Sequence, residues 1–294
     1  MWRPGFPVDV RRTLGPLRRG PADPTWCTGD DGALWRASRT PDGPVSYRLV
    51  RAGEEIACSA WGPGASWLLD GLPELLGGAN DLAGFLPRHP LLERAFRAHP
   101  GVRVLRTRLV VEALVPAVLE QKVTGKEAFA AYRRLVRRYG EPAPGPAGLL
   151  VPPAAETWRR IPSWEWHQAG VDPKRMRTVL AAMPLAGRLE EAVGLDREAA
   201  LARLRAVPGV GEWTANEVAL RAFGDTDALS VGDYHLAGAV GWALLGRPLD
   251  DAGMVELLEP WRPHRALVVR LLESVGPATP RFGPRLAVQD HRRH

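Results

Sequence analysis

The chain has 294 residues, 45% of them hydrophobic and 24% charged, with a formal net charge of +6. That length exceeds the ~100–200 residues usual for one domain, and the composition suits a packed core, which excludes a disordered or fibrous chain. The basic balance favours a polyanionic partner, although only three of the 39 basic residues are lysines (Lys122, Lys126, Lys174) and arginine richness also tracks genomic base composition.

Two cysteines, Cys27 and Cys58, are too few for a disulfide framework or an iron–sulfur cluster, and the seven histidines lack ligand spacing. No metal is expected. No run approaches the ~18 apolar residues of a membrane span, so no membrane partner is expected. The N-terminal MWRPGFPVDVRRTLGPLRRG lacks the continuous apolar stretch of a secretory signal, and a cytoplasmic protein is expected.

Alternation at Phe6, Val8 and Val10, and in ALWRASRT and VSYRLVRA around a Pro41-Asp42-Gly43-Pro44 turn, predicts strands. EEIACSAW (54–61) reads as a further strand, and GASWLLDGLPELLGG (64–78) as a short helix covering one sheet face. From about His89 the pattern is helical. HPLLERAFRAHP is short, and LVVEALVPAVLEQ is apolar enough to be buried. Thr124 and Glu127 form a capping box for a helix running to Gly140, and EPAPGPAGLLVPP (141–153) reads as a Pro-rich connector rather than a core element. Further helices are predicted near 154–160, 173–183, 196–206, 212–223, 234–245, 251–258 and 264–275. The fold class is α+β: a small N-terminal antiparallel β-sheet domain (1–87), a larger all-α domain (88–275) and a basic Pro/Arg-rich tail (276–294).

In VPGVGEWTANEVALRAFG (207–224), Pro208 stops one helix and another starts near Glu212. Gly209 and Gly211 tolerate positive φ and close backbone approach, and the new helix leaves its first N–H groups unpaired at the turn, where an anion is stabilised. A DNA phosphate fits such a site; a tight helix–helix turn explains the same residues without a ligand. About twenty residues on, Asp233 follows Gly232 and precedes a helical run, so it suits an N-cap.

The longer string LRAVPGVGEWTANEVALRAFG, followed by DALSVGDYHLAGAVGWAL, resembles the helix-hairpin-helix (HhH-GPD) DNA glycosylase superfamily. Within it the chain looks most like the 3-methyladenine DNA glycosylase II group, with further similarity in ALVPAVLEQKVTGKEA (113–128) and WRPHRALVV (261–269). The resemblance implies an all-α HhH-GPD glycosylase domain after the sheet. It also implies base excision repair of double-stranded DNA carrying damaged bases, by a monomer associated with the nucleoid.

The resemblance assigns DNA contact to Pro208, Gly209, Val210, Gly211 and Thr214, and entry into the minor groove to Gln121 and Lys122. It assigns catalysis to Asp233, a carboxylate that would stabilise an oxocarbenium-like sugar and orient water. Bifunctional relatives carry a lysine where this chain has Trp213, so hydrolysis rather than strand cleavage is implied. The iron–sulfur branch is excluded, because both cysteines lie in the β part. Relatives stack cationic alkylated bases on aromatic walls, but two such positions are Glu217 and, by an ungapped alignment, Glu273. Candidates for the base pocket are therefore Trp213, Tyr234, Trp166, His167, Glu217 and Glu273, any of which is alternatively structural. An alkylated purine is the expected lesion, with a neutral one, such as a deaminated purine, as the alternative. A non-catalytic DNA-binding module stays open. No cofactor is required; a monovalent cation between hairpin carbonyls and phosphate is implied by the resemblance.

Overall fold

The computed structural model describes residues 1–276, so the predicted tail lies outside the described residues apart from Gly276. Four strands, β1 (Trp26–Thr28), β2 (Leu34–Thr40), β3 (Gly43–Ala52) and β4 (Glu55–Trp61), form an antiparallel sheet in the order 1-2-3-4. Thr40 pairs with Gly43 across the Pro41-Asp42 turn, which sets the register that opposes Leu34 to Leu49 and Arg36 to Tyr47. Leu34, Val45, Tyr47, Leu49 and Ile56 are buried with Leu68, Leu72, Leu75 and Leu76. Those last four come from α2 (Ala65–Asp70), α3 (Leu72–Leu75) and the residue after it, which cover the sheet as the periodicity predicts.

Two expectations for this half are corrected. The alternation at residues 6–10 does not form a strand. Asp9 accepts a hydrogen bond from Arg12 N (2.9 Å) and starts a helix, α1 (Val10–Leu14), because an N-cap outcompetes so short a two-residue pattern. The Pro-rich connector is also not wholly external. β5 (Glu141–Pro142) and β6 (Leu150–Val151) pair antiparallel, and Val151 is fully buried in a cluster with Ala37 of β2.

The helices that follow are α4 (Pro90–Ala98), α5 (Val110–Leu119), α6 (Gly125–Tyr139), α7 (Ala155–Arg160), α8 (Ser163–Ala169), α9 (Pro173–Ala182) and α10 (Ala186–Glu190). Then come α11 (Arg197–Arg205), α12 (Glu212–Val218), α13 (Leu236–Leu245), α14 (Asp251–Leu258) and α15 (Arg265–Ser274). α5 is apolar apart from Glu112, and eight of its ten residues are buried. Each fully buried Val or Leu contributes about 1.5–3 kcal/mol relative to exposure, so this helix is the axis of the helical core. Its N-terminal N–H groups find a partner far away in sequence: Glu190 accepts from Val110 N (2.7 Å) and Val111 N (2.9 Å). The capping box at α6 is formed as the sequence predicts, with Glu127 N donating to Thr124 Oγ1 and Thr124 N to Glu127 Oε2. A second cluster joins α4, α13, α14 and α15 around Leu92, Val240, Met254 and Leu271. No helix among the described residues is long and apolar enough to cross a membrane.

Candidate active site

The hairpin between α11 and α12 is held from below by its two valines. Val207 and Val210 are 1% and 6% exposed, and Val210 N donates to Val207 O (3.0 Å), which leaves Pro208, Gly209 and Gly211 on the surface. Gly209 sits at φ +90, and a Cβ there would meet Thr178 Oγ1 at 2.0 Å. Gly211 differs from expectation. It is the N-cap of α12, with extended backbone (φ −96, ψ −172), and a Cβ there would meet nothing within 4 Å. N-cap residues adopt β-region dihedrals, so no left-handed turn is needed at this position. Ala215 N donates to Gly211 O (3.0 Å), and no side chain caps the helix. The N–H groups of Glu212, Trp213 and Thr214 precede that bond and lie at the positive end of the helix.

The turn after α5 lies against this hairpin. Gln121 donates through Nε2 to Gly209 O (3.0 Å) and to Thr214 Oγ1 (2.8 Å), bridging 88 residues of sequence in the first contact. Lys122 follows, exposed and at φ +55. A non-glycine residue in the left-handed region costs of order 1–3 kcal/mol, and such strain clusters at functional sites.

Asp233 lies on the loop that leads into α13. Its Oδ1 accepts from His235 N (2.9 Å) and from Leu236 N (3.0 Å), the first residue of α13, although the N-cap of that helix is His235 rather than Asp233. Its Oδ2 takes no hydrogen bond among the described residues. Asp233 N donates to Ser230 O (3.0 Å), and Gly232, at φ +90, donates its N–H to Asp251 Oδ2 (3.1 Å).

Glu217, on α12, is 8% exposed, and both of its oxygens are engaged. Oε2 accepts from Arg221 Nη1 (2.6 Å), and Oε1 accepts from the Ser230 hydroxyl. Burial alone would raise its pKa, but the Arg221 guanidinium and the Ser230 hydroxyl hold the carboxyl below its ordinary value. A second buried pair, Arg19–Glu120 (2.8 Å), adjoins it, and burial lowers the Arg19 pKa despite its partner. Sequence reasoning missed Arg221 and Ser230. The i,i+4 spacing of Glu217 and Arg221 on one helix was the available signal.

The remaining pocket candidates do not converge. Trp166 is 0% exposed, its indole N–H donates to Ile161 O (3.3 Å), and its ring lies 5.6 Å from that of Trp158. Its expected place in a pocket wall is corrected: the ring is consumed by the helical core. His167, also on α8, is exposed. Glu273 is exposed and pairs with Arg270. Trp213 is half-buried, and its Nε1 is a buried donor with no partner among the described residues. Tyr234 is 84% exposed beside Asp233, its ring edge-on to His235. A cavity of about 330 Å³ lies between the β2–β3 turn, α5, α7 and α10, and none of its lining residues belongs to the hairpin, the Gln121–Lys122 turn or the Asp233 loop.

No family model matches the chain. The "probable bifunctional transcriptional activator/DNA repair enzyme AlkA" of Mycobacterium tuberculosis is 31% identical over 264 residues, covering 82% of this chain and 50% of that protein. DNA-3-methyladenine glycosylase 2 of Escherichia coli is 27% identical over 188 residues, 63% of this chain and 66% of that protein. The chain therefore spans about half to two-thirds of the length of these curated relatives. Among solved structures, 3-methyladenine DNA-glycosylase from Archaeoglobus fulgidus superposes with TM-score 0.78 at 19% identity, over 94% of this chain and 99% of the other. This is the helix-hairpin-helix DNA glycosylase fold. The glycosylase fold extends in the same way to Clostridium acetobutylicum 8-oxoguanine glycosylase/lyase, with TM-score 0.71 at 12% identity over 92% of each chain. The names of these relatives agree with the resemblance to 3-methyladenine DNA glycosylase II.

Proposed function

We propose that the chain is a monofunctional DNA glycosylase of base excision repair. It flips a damaged base, an alkylated purine by the names of its relatives, out of duplex DNA and hydrolyses the N-glycosidic bond to leave an abasic site. The observation that carries this reading is the bracket formed by α12. Thr214 receives Gln121 from the turn after α5 and Glu217 receives Ser230 from the loop that carries Asp233, while the helix start opens on the hairpin.

In the reaction, the C1′–N bond breaks with its electron pair leaving on the base, and a water oxygen bonds to C1′. Asp233 Oδ2 faces the positive charge that builds on the sugar and takes the water proton, while Oδ1 stays fixed by the two backbone N–H groups. Lys122 enters the duplex gap with its stem and meets phosphate with its ammonium. Trp213 offers no amine for a Schiff base, which supports hydrolysis over strand cleavage. A monovalent cation at the hairpin would be held by backbone carbonyls; those of Val207 and Gly209 each already accept one N–H and keep a second lone pair, and the ion would bridge to phosphate.

A second reading, a neutral lesion such as a deaminated purine, is favoured by Glu217. Where relatives imply an aromatic wall for cationic bases, this chain has an ion pair. The test is release of free base from duplex oligonucleotides carrying 7-methylguanine, 3-methyladenine, hypoxanthine or 8-oxoguanine. Asp233→Asn should keep the melting temperature and DNA binding, since an Asn oxygen accepts the same two backbone N–H groups as Asp, and lower base release by about 10²–10⁴-fold. Borohydride should trap no covalent complex. Binding without release of any base reduces the chain to a DNA-binding module.

A further inference from the structure

We propose that Glu217, locked by Arg221, is a positioning residue that sets the Asp233 loop through the Ser230 hydroxyl. The inference rests on the reading of Asp233 as the catalytic carboxylate.

The loop from Ser230 to Asp233 has few anchors, and each is identifiable. Asp251 holds the Gly232 N–H, and the Ser230 carbonyl holds the Asp233 N–H. Ser230 is itself held from its side chain by Glu217 Oε1. Oδ1 of Asp233 is itself held by His235 N and Leu236 N, and the position of the loop that carries this carboxylate runs back, through one hydroxyl, to α12. Glu217 is in turn fixed by Arg221, whose Nη1 donates to both its Oε2 (2.6 Å) and its backbone carbonyl (3.0 Å). Arg221 Nε reaches Pro16 O (3.3 Å), which ties the ensemble to the segment following α1. A carboxylate suits this position because it only accepts, so it takes the guanidinium and the hydroxyl at once.

Stability is a poor reason to bury such a pair. Replacing a buried ion pair by apolar side chains of similar volume is often neutral or stabilising, whereas an ion pair specifies one geometry. Geometry is what the neighbouring carboxylate requires, since a displacement of about 1 Å at a reacting group costs on the order of 10²-fold in rate. The same α12 that aims the Asp233 loop also receives Gln121 through Thr214, so wedge and acid share one rigid reference.

The test separates positioning from folding. Ser230→Ala removes the link and leaves the ion pair whole. Single-turnover base release should fall roughly tenfold or more, with DNA affinity at the wild-type value and the protein still folded at the assay temperature, because the unpaired Glu217 Oε1 lowers the melting temperature without unfolding the chain. Ser230→Thr, which restores a hydroxyl, should recover the rate. In an Asp233→Asn background, Ser230→Ala should cause no further loss, because the hydroxyl acts only through that carboxylate. Glu217→Gln, which keeps the shape and removes the charge, should slow release in the same Asp233-dependent way. Wild-type release by Ser230→Ala overturns the inference and leaves the glycosylase reading standing, as does a loss that persists undiminished in the Asp233→Asn background. Normal release by Asp233→Asn alone overturns the reading of the acid and the inference with it.

Discussion

The junction between sheet and helices and the edge around Asp233 use the same chemical groups to opposite ends. At the junction, Glu112 of α5 accepts from Arg36 and from Ser38 Oγ (3.1 Å) through one oxygen, and from Arg39 N (3.2 Å) through the other. Glu112 and Arg36 have side chains 8% and 5% exposed. Burial works against the Arg36 charge, but Glu112 together with Tyr47 and Tyr132 outweighs it, so the guanidinium pKa is raised. At the edge, Asp233 spends one oxygen on backbone, while among the described residues its other oxygen takes no hydrogen bond and Gly211 faces open space; Lys122 is exposed in a strained conformation. A carboxylate with both oxygens engaged organises the fold. One with an oxygen to spare, fixed by the other, is equipped to react.

The sharpest way to break this contrast is Glu112→Ala. Leaving Arg36 buried without its partner should cost about 3–5 kcal/mol in denaturant unfolding, while molecules that remain folded release base at the wild-type rate. A loss below ~1 kcal/mol, the scale of an exposed pair, would place this carboxylate with the dispensable surface ions. The two hairpin glycines come next. Gly209→Ala should destabilise by roughly 1–3 kcal/mol, because of its φ of +90 and the approach of Thr178, and should weaken DNA binding as well. Gly211→Ala should leave the melting temperature unchanged and weaken DNA binding alone, since its Cβ meets no protein atom. Equal loss of stability in both variants would show that the two glycines serve the turn and nothing else. The smallest effect is expected for Lys122→Ala, which should lower the salt dependence of DNA binding by about one unit of slope if its ammonium meets a phosphate. An unchanged slope would assign that lysine to solvent.

Much of this molecule was legible wherever the cause is local. The box at Thr124–Glu127 and the short helices at 65–75 follow from patterns a few residues apart. Elements built from weak or competing local signals were misread. α1 was taken for a strand, the β5–β6 pair for a bare connector, and α8 was absent from the expected helices. For the candidate site, the sequence offered the hairpin, Asp233 and the Gln121–Lys122 turn; the fold brings Gln121 onto the hairpin and leaves Asp233 on the loop before α13, two residues ahead of its N-cap. Trp166 was misjudged because an indole serves a core or a pocket wall equally well by composition. Glu217 was expected at a base and is instead engaged by Arg221 and Ser230.

By itself, the sequence determined most helix starts and stops, the hairpin and the place of Asp233 after Gly232, because caps, turns and periodicity act over one or two turns of chain. Only the tertiary structure decided which charged groups are saturated and which keep a free valence. Those partners lie far apart, 76 residues between Arg36 and Glu112 and 88 between Gln121 and Gly209, and no local pattern encodes a contact that forms only when the chain has packed.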